Sequence, residues 1–198
     1  MLVVNENSEN TFLTIRKVLC SQGVVIIPTE TVYGLATLWS NKAGQERIYT
    51  LKHRPAEKRL QMLASDLPQA ECAGVVVTVA LQKIAQAFWP GPLTVVVAAR
   101  NRDSIGLRLP AYPFLQRLLA ALPEPLAATS ANLSGRSATT TAAAAVAELQ
   151  GQPDLLVDSG SFSSTAGMAS TVLSLLEGQP VILRPGPISL EEILAVCQ

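Results

Sequence analysis

Histidine is almost missing from this chain: His53 is the only one, and the three cysteines, Cys20, Cys72 and Cys197, are widely spaced. One imidazole argues against a histidine-rich metal site and against a Ser-His-Asp triad. An odd number of scattered cysteines argues against a disulfide framework or zinc site and fits a reducing cytosol. A charge excess is also lacking, since Lys+Arg 15 balances Asp+Glu 15. The whole chain therefore does not advertise a nucleic-acid partner, although His53, Arg54, Lys58 and Arg59 form a local basic patch. No apolar run approaches the roughly 20 residues that span a bilayer. Met1 to Asn10 lacks the basic-then-apolar pattern of a signal peptide. The expectation is a soluble, cytoplasmic protein with no membrane partner. Walker loops, GxGxxG and nucleophile elbows are missing too, so no covalent nucleophile is indicated.

What is present is a chain of 198 residues, 48% hydrophobic, long enough to bury a core and read as one domain over 1–198. Phe12, Ile15, Val18 and Leu19 fall on one helical face, with Asn7 or Ser8 as cap and Gly23 as stop. Val24 to Ile27 reads as a buried strand ended by Pro28. Further helices are predicted over Lys42 to Leu51, Val79 to Trp89, Phe114 to Leu122 and Thr141 to Leu149. Further strands are predicted at Gln61 to Ala64, Leu93 to Ala99, Ile105 to Leu109 and Leu126 to Ala128. The strands Leu155 to Val157, Thr171 to Leu176 and Val181 to Leu183 complete them. A last helix starts near Ser189, whose spacing to Glu192 makes a capping box. Alternating elements with short links give an α/β class, with a mixed sheet where strands follow one another directly.

Polar clusters punctuate this apolar chain. Leu126-Ala127-Ala128 breaks into Thr129-Ser130-Ala131-Asn132-Leu133-Ser134-Gly135. Ligands of open α/β sheets bind at such strand ends, and short side chains let an anion approach the backbone. The plain alternative is an ordinary turn, with Ser134 or a later Thr as helix cap. Thr29-Glu30-Thr31 and Tyr33 follow a buried strand in the same way. Lys52 and Arg54 precede Pro55 at a helix end. They either complement the helix dipole or leave the spiral and converge on an anion. Ser104, Gly106 and Arg108 share one face of a strand by period two, and Arg184 emerges where another strand ends. Fixed cations and hydroxyls without a nucleophile point toward nucleotidyl or phosphoryl transfer.

The ordered set PTETVYGL (Pro28 to Leu35), KHRP (Lys52 to Pro55), FWPGPLT (Phe88 to Thr94), LRLP (Leu107 to Pro110), SAN-LSG (Ser130 to Gly135), AST (Ala169 to Thr171) and LRPGP (Leu183 to Pro187) resembles the YrdC-like family. These are the threonylcarbamoyl-AMP synthases of tRNA modification. The resemblance covers about 24–187 and suggests the short, single-domain form. It implies an open, twisted mixed sheet with helices on its faces around a deep central cavity. It implies condensation of L-threonine, bicarbonate and ATP to threonylcarbamoyl-AMP and pyrophosphate, with Mg²⁺ bound through the ATP phosphates. Partner proteins of tRNA modification would take the product. By motif, Thr31, Arg108, Ser130 and Ser170 would bind threonine. Lys52 and Arg54 would be the catalytic cations, and Arg54, Lys58, Ser104, Asn132, Thr140 and Arg184 would contact the nucleotide. The chain departs from the family pattern at Ala36, Leu60, Leu63 and Leu173. The alternative reading is a divergent, non-catalytic YrdC-like module that binds nucleotide, tRNA or double-stranded RNA. Carbamoyl transfer, as in larger hydrogenase-maturation relatives, fits less well because the three cysteines cannot supply zinc motifs.

Overall fold

The computed structural model describes residues 1–160 and 168–197. Its elements begin with β1 (Leu2–Asn5), α1 (Thr11–Cys20), β2 (Val25–Ile27), β3 (Gly34–Leu38) and α2 (Lys42–Lys52). Then come β4 (Gln61–Leu63), α3 (Leu67–Cys72), α4 (Val79–Phe88), β5 (Leu93–Ala98), β6 (Ser104–Arg108) and α5 (Pro113–Ala121). The chain continues through β7 (Leu126–Ser130), α6 (Ala142–Ala147), β8 (Leu155–Asp158), β9 (Thr171–Ser174), β10 (Val181–Arg184) and α7 (Leu190–Cys197). The class is mixed α/β, as the alternation of elements predicts. The chain forms two compact units, Met1–Leu60 with Leu126–Gly167 and Gln61–Pro125 with Met168–Gln198.

In the first unit the strands lie in the order β1-β8-β2-β3-β7. β8 runs parallel to β1 and β2, while β3 is antiparallel to both β2 and β7. Val24 to Ile27 are fully buried, as a β-branched run covered on both faces should be. The capping of α2 is more elaborate. Asn41 Oδ1 accepts from Gly44 N at 2.9 Å, and Asn41 Nδ2 donates to Thr37 Oγ1 at 2.8 Å. Thr37 Oγ1 in turn donates to Gly23 O at 2.8 Å, so the helix start is tied to β3 and the loop before β2. Only glycine fits at 44, because a Cβ there would meet the side chains of Asn41 and Thr37.

In the second unit the order is β4-β6-β5-β9-β10. β6 is antiparallel to β5, which matches the expectation for two consecutive strands; β4–β6 and β5–β9 are parallel, and β9–β10 is antiparallel. The Ser189–Glu192 capping box forms, with Ser189 N donating to Glu192 Oε2 at 2.8 Å and Glu192 N to Ser189 Oγ at 3.2 Å.

Several elements differ from the sequence reading. The helix α1 starts after Asn10, not after Asn7 or Ser8, and Asn10 makes no side-chain cap bond. Asn7 N turns back to Asn5 Oδ1 instead, at 2.9 Å. β1, β3 and α3 were not anticipated. β1 is a largely exposed edge strand whose partners lie at 155–158, and no local pattern announces such pairing. β3 runs over Gly34, Leu35, Ala36, Thr37 and Leu38, and burial between β2 and β7 overrides the poor strand propensity of Gly34 and Ala36. α3 carries a readable signal, since Asp66 caps it through Gln69 N at 2.7 Å and proline stands in its first turn.

Candidate functional site

In the first unit, β2 ends at Pro28 and the next loop is organised by one hydroxyl. Thr29 Oγ1 lies 2.6 Å from Val32 O and 2.9 Å from Thr31 Oγ1, and accepts from the backbone N–H of Thr31 and Val32. Both Thr29 and Thr31 are buried. Tyr33 ties this loop to its neighbours: its N–H donates to Thr139 O, and its carbonyl accepts from Ala131 N at 2.7 Å. The Tyr33 hydroxyl donates to Gly160 O at 2.9 Å and accepts from Ser159 N at 3.1 Å. Burial raises the pKa of this phenol.

The end of α2 explains how Lys52 and Arg54 separate. His53 takes a left-handed conformation, φ 47°, and Arg54 N donates to Tyr49 O at 2.9 Å, closing the helix. Lys52 is therefore the last helical residue and points inward, 1% exposed. Its Nζ donates to Ser130 O and, at 2.6 Å, to Asn132 O, while its own carbonyl accepts from Ser134 N at 3.0 Å. One lysine thus clamps the strand-end turn after β7. Burial first, and the Arg54 charge second, pull its ammonium pKa down to about 7. Arg54 leaves the spiral and closes its own loop, donating from Nε to Lys58 O at 2.7 Å and from a terminal nitrogen to Arg59 O at 2.9 Å. The Lys58 carbonyl also accepts from Tyr49 OH, and the Lys58 side chain lies exposed.

Asn132 is buried, and its Nδ2 donates to Leu133 O and Arg136 O, both at 2.8 Å. Its Oδ1 is buried with no partner among the described residues. Such an orphan acceptor costs about 1–3 kcal/mol, so the turn is set to receive a hydrogen-bond donor. Thr140 is half-buried between Thr139, which donates to Ala131 O at 3.0 Å, and Thr141, which caps α6 through Ala144 N at 3.2 Å. The later threonine, not Ser134, is the cap.

In the second unit Arg108 ends β6, buried, with Nε donating to Gly91 O at 3.2 Å. Ser104 sits at the other end of the same strand, opposite Ala98, about 13 Å away at some 3.3 Å per residue. Ser170 is buried, its Oγ 2.9 Å from Thr94 Oγ1, which also donates to Gln61 Oε1 at 3.0 Å. Arg184 donates to Ser170 O at 2.7 Å and Ser170 Oγ at 3.2 Å. Thr171 Oγ1 donates to Ile188 O and accepts from Ile188 N, so the Ala169–Thr171 and Leu183–Pro187 motifs form one piece. Gly186 permits that approach: a Cβ there would stand 2.7 Å from Ser170 C and Thr171 Cα. Burial, and then the nearby Arg108 guanidinium, lower the Arg184 pKa. Two like charges held near each other favour an anion between them. Sequence reasoning assigned no role to Gln61 or Thr94. Their contact spans 33 positions and leaves no local signal.

Among the described residues no three His, Cys, Asp or Glu side chains gather to hold a metal, and no helix is long and apolar enough to cross a membrane. Fold and side chains together define a mixed α/β protein whose fixed cations and small hydroxyls collect where strands end. The family model Sua5/YciO/YrdC, described as telomere recombination, matches residues 17–186, and the chain belongs to that family. It is 35% identical over 179 residues to the threonylcarbamoyl-AMP synthase of Pyrococcus abyssi (strain GE5 / Orsay), covering 86% of this chain and 52% of that relative. The threonylcarbamoyl-AMP synthase of Bacillus subtilis (strain 168) is 34% identical over 183 residues, 87% of this chain and 52% of that protein. The chain thus spans about half the length of these relatives. The crystal structure of P. abyssi Sua5 complexed with L-threonine superposes with TM-score 0.89 at 32% identity, over 98% of this chain and 60% of that one. E. coli YciO shares the fold, with TM-score 0.84 at 23% identity over 97% of both chains. The departures at Ala36, Leu60, Leu63 and Leu173 all fall on buried apolar positions.

Proposed function

We propose that this chain is a threonylcarbamoyl-AMP synthase, which condenses L-threonine, bicarbonate and ATP and releases pyrophosphate. The observation that carries the reading is the family match over 17–186, joined to relatives of that name at about 35% identity. In this reading the neutral threonine amine attacks bicarbonate, a C–N bond forms as a C–O bond breaks and water leaves, and the resulting carbamate oxygen attacks the α-phosphorus of ATP. The α-phosphorus–oxygen bond to pyrophosphate breaks, and threonylcarbamoyl-AMP remains. Negative charge grows on the phosphoryl oxygens and the leaving group, which is where fixed cations act best.

Arg108 pairs with the threonine carboxylate, with Ser170 beside it, while Arg184 neutralises phosphate. Thr31 and Ser130 border the amino acid. Lys52 commits two of its three ammonium N–H groups to the turn carbonyls and directs the third at an anionic oxygen. Arg54 and Lys58 supply further charge. The unpartnered Asn132 Oδ1 accepts from a nucleotide hydroxyl or amine, with Thr140 and Ser104 as further nucleotide contacts. Mg²⁺ would enter on the ATP phosphates as part of the substrate. The product serves threonylcarbamoyladenosine formation in tRNA, through a cytoplasmic partner enzyme.

The test is pyrophosphate release by the purified protein in the presence of ATP. The reading predicts release only when L-threonine and bicarbonate are both supplied. Turnover indifferent to threonine overturns it.

A further inference from the structure

Arg184 lies exposed at the end of β10, yet its side chain is tied down. Among the described residues its hydrogen bonds both go to Ser170, from one terminal nitrogen to O at 2.7 Å and to Oγ at 3.2 Å. Whatever holds Ser170 therefore holds Arg184. Ser170 is buried, and its hydroxyl continues a row of polar groups across the second unit. Ser170 Oγ lies 2.9 Å from Thr94 Oγ1, and Thr94 Oγ1 donates to Gln61 Oε1 at 3.0 Å. A guanidinium only donates, so Ser170 Oγ accepts from Arg184. The single proton of Thr94 is spent on Gln61, so the Ser170 proton goes to Thr94. Thr94 Oγ1 makes no other hydrogen bond among the described residues, and a lone pair is open to take that proton.

Gln61 belongs to β4 and Thr94 to β5, with β6 between them. The row crosses β6 at Gly106, where a Cβ would stand 3.5 Å from Thr94 Cγ2 and 3.9 Å from Gln61 Cβ. Any side chain longer than that of alanine would come between the two. Close approach of its neighbours thus accounts for a glycine in the middle of a strand.

We infer that Gln61 and Thr94 are positioning residues, which fix the Ser170 hydroxyl and through it aim the Arg184 guanidinium at phosphate. This rests on the function proposed above, in which Arg184 neutralises the ATP phosphates. A long, exposed arginine without such a hold spreads over many rotamers, and ordering it at the moment of binding costs affinity. The row from Gln61 to Ser170 orders it beforehand, so its charge is in place when phosphate arrives.

The test is a double-mutant cycle on Thr94 and Arg184, read as kcat/KM for ATP in threonine-dependent pyrophosphate release, with a thermal melt of each protein. Thr94→Val is expected to lower kcat/KM about 10-fold, on the scale of one lost hydrogen bond. Thr94→Ser keeps the hydroxyl and should stay within about 2-fold of wild type. Gln61→Met removes the acceptor at similar volume and should lower kcat/KM about 3-fold or more. Arg184→Ala lowers it on its own, and adding Thr94→Val should change it by less than about 2-fold, because Thr94 acts through Arg184. A merely structural Thr94 would give losses that multiply in the double variant, which overturns the inference. So does Thr94→Val with wild-type kcat/KM, or Thr94→Ser as impaired as Thr94→Val. If Thr94→Val melts below the assay temperature, Gln61→Met takes its place in the cycle with Arg184→Ala, and losses that multiply there overturn the inference equally. Wild-type protein without threonine-dependent turnover would overturn the function itself, and the inference with it. An active wild type unresponsive to change at Thr94 and Gln61 overturns the inference alone.

Discussion

Replacing Lys52 with methionine should change how stability depends on pH. Lys52 is buried, and its pKa falls from 10.5 to about 7 in the fold. That difference corresponds to on the order of 5 kcal/mol against holding the charged form in the native state. Below pH 7 folded and unfolded chains both carry the proton, and the whole penalty is present. Between pH 7 and 10.5 the unfolded chain keeps the proton that the folded chain has released, so stability rises with pH, by roughly 1.4 kcal/mol per pH unit at most. Deprotonation leaves two N–H groups on Nζ, enough to serve Ser130 O and Asn132 O, so the clamp survives it. In Lys52→Met both carbonyls lose their donor, at about 1–3 kcal/mol each, but the pH slope disappears. Near pH 7 the losses and the relieved charge roughly offset each other; at pH 9.5 only about 1.4 kcal/mol of the charge penalty is left, and the losses dominate. Urea unfolding of both proteins at pH 7.5 and 9.5 reads this directly. Wild type should gain about 2–3 kcal/mol on Lys52→Met across that interval. Parallel curves, with no change in the difference, would refute the assignment of a neutral-range amine to this turn.

Asp154 holds Val24 N at 2.8 Å and Arg47 at 2.6 Å. Partial burial alone would raise its carboxyl pKa, but the Arg47 hydrogen bond and charge, together with the Val24 N–H, bring it below the usual value. The pair is over a third exposed, so Asp154→Asn should cost about 1 kcal/mol or less at pH 7. A folded pKa below the unfolded one gives stability that is present above the ordinary carboxylate range and fades as pH falls through the folded value. The gap between wild type and variant in urea melts should accordingly close in acid. Gly186→Ala should lower stability by about 1–3 kcal/mol in the same melts and raise the KM of threonine or ATP, since the added methyl meets the Ser170–Thr171 backbone.

Local chemistry was readable wherever it closes within a few residues. The Ser189–Glu192 box follows from spacing, and the pairing of β5 with β6 from two strands that succeed one another directly. Elements that depend on distant partners were not. Nothing in Leu2–Asn5 announces pairing with 155–158, and nothing in Gly34–Leu38 outweighs the poor strand propensity of Gly34 and Ala36 until β2 and β7 flank it. The site divides in the same way. Arg108 could be placed from the period-two pattern of β6, and the strand-end turn at Ser130 from its composition. That Lys52 would be held by that turn could not, because its partners lie 78 and 80 positions away.

The most direct measurement is pyrophosphate released from ATP by the purified chain, with L-threonine and bicarbonate each withheld in turn. The expected result is release that needs both. Release that continues without threonine, or none with all three substrates and Mg²⁺ present, would contradict it.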